Sequence, residues 1–227
     1  FSMTPRTTIH ARGTQTVNIR SSSSSTMRVT VAVTVSADGG MLFPLIVFKG
    51  KPGGRISRSF SSFPSGAIYA CQDRAWMDES VMKRWIQDIL VPYVQTSLPG
   101  IHPVLMLDSY RCHMMASVVN TIADVGIEVI HIPGGCTGTC QPVDVGIEKP
   151  LKDRVRHRWE EWMLQQDGNT AIFQPPSREL LASWIIDSLN SLESEIIQSH
   201  LNTKSASRLI KLSIKKTVIH NAHRRCH

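Results

Sequence analysis

Acidic residues are absent from both ends of this chain. None precedes Asp38 and none follows Glu195, although the 227 residues contain 18 of them. The net charge of +7 is therefore unevenly spread. The tail beyond Glu195 holds Lys204, Arg208, Lys211, Lys215, Lys216, Arg224 and Arg225, which leaves residues 1–195 balanced at 18 basic and 18 acidic side chains. Arg6, Arg12, Arg20 and Arg28 make the front a smaller basic segment. Basic ends on a neutral body suit a polyanion such as nucleic acid, and equally suit a solvated tail. Long apolar runs are missing too. None approaches the ~18 residues a membrane-spanning helix needs, and residues 1–28 contain no apolar core of a secretory signal. The five cysteines are odd in number and come without such a signal, so a disulfide framework is not expected and a reducing compartment is. The first residue is Phe1 rather than Met, so the chain reads as part of a longer product.

What is present suits one globular domain of ordinary size, with 41% hydrophobic residues. Residues 1–28 are polar, with a serine run at 21–25 and at most a short strand around Val17–Arg20. Val29, Val31, Val33 and Val35 alternate with Thr30, Ala32, Thr34 and Ser36. Asp38-Gly39-Gly40 then supplies a turn before a second apolar run over Leu42–Phe48, which predicts a hairpin. Residues 55–75 read as irregular. A helix is expected from Asp78, a suitable cap, through Val81, Trp85 and Ile89. The apolar stretch Val104–Leu107 ends in Asp108 and suits a strand buried on both faces. A helix over 113–125 and a strand over 128–133 complete a βαβ unit. Helices are expected over Val143–Gln165, with Pro150 as an interruption, and over Ser177–Leu192, capped by Ser177. This order implies an α/β fold with a mixed sheet.

Asp108 is the first candidate for chemistry, because a carboxylate ending a buried strand lies where α/β proteins place ligand groups. Asp144, in a loop before the next helix, can converge on the same edge. Two such carboxylates suit Mg²⁺ or Mn²⁺, which favour oxygen ligands. Taken alone, Asp144 reads better as a helix cap. His113 could assist a metal or phosphate, or simply begin a helix. Cys136, Cys140 and His131 invite a zinc reading, but the C-x₃-C spacing is loose and has no matching second pair. Lys149, Lys152, Arg154, Arg156 and Arg158 form a basic stripe past Asp144 where DNA phosphate could approach. The competing reading is a solvated helix face balanced by Glu148, Asp153 and Glu160.

Three stretches carry a family resemblance: LMLDSYRCH (105–113), HIPGGCTGTCQPVDVGIEKPLK (131–152) and VTVAVTVSADGG (29–40). Together they resemble a pogo/Tigger/jerky-type DDE superfamily endonuclease domain, over most of residues 1–198, with 199–227 as a basic, weakly patterned tail. The resemblance implies a ribonuclease-H-like fold in the nucleus. It also implies DNA as partner, three acids holding two divalent ions, and cutting and joining of DNA strands. Asp108 matches the second acid, Asp144 the third, and His113 the histidine that follows the second. The sequence Ser109-Tyr110-Arg111-Cys112-His113 departs from the commoner Asn-x-Pro-x-His and marks a divergent branch. The first acid, carried in the family on the first and central strand, has no match here. That predicts unpaired sheet edges, weak metal binding and negligible cleavage. Two other functions stay open: a non-catalytic nucleic-acid-binding protein, and a zinc-stabilised interaction module. Self-association is not decided.

Overall fold

A computed structural model of the chain describes residues 28–36, 40–134, 146–165 and 175–192, together with the backbone of 211–219. The predicted hairpin forms from β1 (Val29–Val35) and β2 (Leu45–Lys49), paired antiparallel from Val29↔Phe48 to Ala32↔Leu45. The second strand starts later than the apolar pattern suggests. Pro44 has no N–H to give a ladder, and its carbonyl instead accepts the N–H of Ile68 at 2.9 Å. The turn at Asp38-Gly39 lies outside the described residues.

The stretch that reads as irregular contains a short helix, α1 (Arg55–Arg58), and a strand, β3 (Ile68–Gln72), parallel to β2. This corrects the sequence reading. Ile-Tyr-Ala-Cys-Gln is too brief to show a period, and parallel pairing with β2 decides its structure. Next come α2 (Glu79–Trp85), a π-helical turn (Ile86–Leu90) and α3 (Val91–Ser97). Asp78 caps this helix as expected, its Oδ1 accepting the Val81 N–H at 3.0 Å. The wide turn ends two residues before Pro92, which cannot donate to the ladder.

The βαβ unit is present: β4 (Val104–Asp108), α4 (Ala116–Asp124) and β5 (Glu128–Ile132), with β4 and β5 parallel. Two helices follow, α5 (Glu148–Leu164) and α6 (Arg178–Asn190). Pro150 does not interrupt α5. It sits in the first turn, where its missing N–H costs nothing. Ser177 Oγ accepts the Leu180 N–H at 3.1 Å and starts α6.

The last strand, β6 (Lys211–Ile219), comes from the basic tail and lies inside the sheet, whose order is β3-β2-β1-β6-β4-β5. It pairs antiparallel with β1 from Val29↔Ile219 to Val35↔Ser213, and parallel with β4 from Val104↔Lys211 to Leu107↔Ile214. The expectation of unpaired edges beside β1 and β4 is therefore corrected. The slot that the resemblance gives to a first strand is taken by β6. Its pattern was hard to read because lysines interrupt the β-branched run Ile214, Thr217, Val218, Ile219.

Helices cover both faces of the sheet, so strands with alternating sequence are buried throughout. Val29, Val31, Val33 and Val35 pack with Leu151, Val155 and Trp159 of α5 and Leu181 and Ile185 of α6. Ala32 joins the opposite cluster, with Met82, Trp85 and Ile86 of the 79–97 helices and Val118 and Ile122 of α4. At roughly 1.5–3 kcal/mol for each buried large aliphatic or aromatic side chain, these layers supply the main drive to fold. They also hold the strand ends in place at the rim.

Candidate active-site rim

The apolar residues Val104, Leu105 and Leu107 fix β4 in the sheet, and Asp108 ends it at the rim with its side chain 18% exposed. Its Oδ1 accepts the Tyr110 N–H at 3.1 Å, which turns the chain out of the strand. The same oxygen accepts Nδ1–H of His113 at 2.6 Å. A carboxylate oxygen can only accept from a ring N–H here, so the proton sits on Nδ1. His113 is 1% exposed, and its Nε2 has no hydrogen-bond partner among the described residues. His113 is thus not a surface helix-start residue. It is a buried support that sets the orientation of Asp108.

The neighbouring strand end is tied to the same unit. His131 Nε2–H donates to the His113 carbonyl at 3.1 Å, and Ser109 Oγ donates to the Ile132 carbonyl at 2.6 Å. The Tyr110 ring meets the His113 ring edge-on, with centroids 5.6 Å apart. Burial pushes the Tyr110 phenol up. Cys112 adds to that, Arg28 opposes it, and Asp108 and Asp78 raise it further. Tyr110 therefore lies within the field of both the Asp108 carboxylate and the Arg28 guanidinium.

One residue beyond the Leu107↔Ile214 pair stand Asp108 on β4 and Lys215 on β6, and Lys215 is also in register with Val33 of β1. The central neighbour of Asp108 is a lysine position, not an acidic one. Asp144, Cys136 and Cys140 lie outside the described residues. Among the described residues, no three His, Cys, Asp or Glu side chains cluster as a metal site. Asp108 suits one oxygen ligand to a hard cation, and its partial exposure leaves it reachable. His131 has its Nε2 engaged on the His113 carbonyl.

The basic stripe sits on α5 and is largely matched by acids and carbonyls. Lys152 pairs with Glu148, and Arg156 with Asp153 at 3.2 Å. Arg158 reaches Asp187 of α6 at 3.2 Å, and Arg154 donates to the Ser188 carbonyl at 3.4 Å. Lys149 is exposed and forms no ion pair with a described acid. Reading the stripe from spacing alone missed Asp187, which comes from another helix.

A mixed α/β sheet covered by helices, with a histidine-supported carboxylate at the rim, agrees with comparison to known proteins. The DDE superfamily endonuclease model matches residues 26–200, and the chain belongs to that family. It is 31% identical over 199 residues to the mouse protein "Pogo transposable element with KRAB domain" and 30% identical to the human protein of that name. Each alignment covers 85% of this chain and 31% of the relative, so the chain spans about a third of those proteins. It is also 24% identical over 188 residues to ARS-binding protein 1 of Schizosaccharomyces pombe, covering 77% of this chain and 34% of that protein. No solved structure matches it significantly.

Proposed function

We propose that the domain is a ribonuclease-H-like, transposase-derived DNA-handling unit acting in the nucleus, with Asp108 and Asp144 as ligands to Mg²⁺ or Mn²⁺. The observation that carries this is the position of Asp108. It ends an inner strand of the sheet, is partly exposed, and is held in one orientation by the buried His113. A bound divalent ion would polarise a phosphate oxygen and lower the pKa of a bound water. The chain's own part is to fix the carboxylate, with His113 Nδ1–H and the Tyr110 N–H both on Oδ1. Lys149 and the cations of α5 would meet DNA phosphate, although those already paired would have to exchange partners. The name of the fission-yeast relative, an ARS-binding protein, favours DNA as the partner.

A polypeptide of these 227 residues binds metal weakly and cleaves DNA negligibly. Two acids cannot supply what three do, and the β6 residue that follows the Leu107↔Ile214 pair is Lys215, not an acid. Losing a metal ligand costs orders of magnitude in rate. Non-catalytic DNA binding is the activity this leaves. Supercoiled plasmid incubated with Mg²⁺ or Mn²⁺ should show no nicking above that of an Asp108→Ala variant. Metal-dependent nicking that disappears in Asp108→Ala would overturn the inactivity and establish the endonuclease.

A further inference from the structure

Arg28 and Arg74 both set their guanidinium carbons 5.5 Å from the ring centroid of Trp76, which is 39% exposed. Neither arginine forms an ion pair with a described carboxylate. A guanidinium against an aromatic face keeps its in-plane N–H donors for another partner, and that planar fork matches phosphate oxygens. The Nε–H of Arg28 is buried and lacks a hydrogen-bond partner among the described residues.

The turn carrying Arg74 and Trp76 is held with unusual firmness. Gln72 Oε1 accepts the N–H groups of both, at 2.7 Å and 2.9 Å. Between them Ala75 has φ of 53°, a left-handed conformation that non-glycine residues seldom adopt. Thr30 Oγ1 donates to the Ala75 carbonyl at 2.6 Å, and the Ala75 N–H reaches the Gln72 carbonyl at 2.8 Å. Strain maintained by its surroundings is a mark of positioning.

The sheet places this group on the Asp108 rim. β1 is antiparallel to β6 and β6 is parallel to β4, so the start of β1 and the end of β4 lie on one side. Lys49 ends β2 opposite the start of β1, and with Arg178 it shares a small crevice with Arg28.

We propose that Arg28 and Arg74, planted on Trp76, form a preorganised clamp for the DNA phosphate backbone beside the Asp108 rim. The clamp rests on the DNA-handling reading above and gives it a location distinct from the α5 stripe. Forks seated on phosphate oxygens fix position on the duplex and carry no sequence information.

The test is fluorescence anisotropy of a labelled duplex against the full 227-residue chain, with affinity followed across a salt series. Each lost phosphate contact lowers the slope of log affinity against log salt by about 0.9. Arg74→Ala is the main variant, since Arg74 is exposed and its loss leaves the core intact. Its slope should fall by about one contact, equally on unrelated duplex sequences, with Arg28→Ala additive and Arg74→Lys intermediate. Lys83, half-buried and already paired with Glu79 at 2.8 Å, provides Lys83→Ala as a control whose slope should stay unchanged. Parent binding that Arg74→Ala and Arg28→Ala leave unchanged in affinity and slope would overturn the clamp while sparing the DNA-handling reading. Absence of salt-dependent binding by the parent chain would overturn both.

Discussion

Replacing Ile214 by proline tests the central placement of the C-terminal strand. Position 214 pairs with Thr34 of β1 on one side and lies in register with Leu107 of β4 on the other. A proline there removes a backbone N–H from the middle of a sheet and fixes φ away from strand values. The orphaned carbonyl alone costs about 1–3 kcal/mol when buried, and ring strain brings the total to roughly 2–4 kcal/mol. Domains of this size have total stabilities of about 5–15 kcal/mol, so the variant should remain foldable but clearly weakened. At roughly 2–4 °C per kcal/mol, the melting temperature should drop by about 5–15 °C. Thermal unfolding followed by far-ultraviolet circular dichroism reads this directly. A variant melting within a degree or so of the parent, or one lacking 209–227 altogether that unfolds unchanged, would show that β6 is not in the sheet.

His113 and Asp108 should be energetically coupled. A double-mutant cycle with His113→Ala and Asp108→Ala, read by urea unfolding, should give about 1–3 kcal/mol, and additive effects would refute the support role. Alkaline stability should report Tyr69, whose phenol donates to the Pro64 carbonyl at 2.5 Å within the Phe48–Phe60–Phe63 aromatic cluster. Burial pushes its pKa from 10.0 to about 12. The folded state thus retains the proton longer than the unfolded chain does. The contribution is complete below the unfolded value and is lost as pH rises through the folded one. The urea midpoint should fall across that window, and Tyr69→Phe should remove that part of the fall; an equally steep fall in Tyr69→Phe would place the effect elsewhere.

Features encoded within a few neighbouring residues were readable from the sequence. Asp78 and Ser177 are caps because an oxygen three residues ahead of a helical N–H is a local geometry. Asp108 stood out because an acid at the end of Val-Leu-Met-Leu has to face the rim. Features made by distant segments were not readable. β3 and β6 are strands because of the partners they meet, and their own composition says little. Spacing marked the α5 cations as a stripe, but their pairing with Asp187 and the Ser188 carbonyl depends on α6 packing alongside. The grouping of Arg28 with Arg74 and Trp76 needs β1 and the turn after β3 to lie side by side, which no local motif announces. His113 was singled out by its spacing from Asp108, while its burial came only from the fold.

The most direct test of the account is where a divalent ion binds. Mn²⁺ titrated into isotopically labelled protein should broaden the amide resonances of Asp108, Ser109 and Tyr110 first, weakly and saturably, and Asp108→Asn should abolish that broadening. Broadening centred elsewhere, or persisting at the rim in Asp108→Asn, would contradict the assignment of Asp108 as a metal ligand.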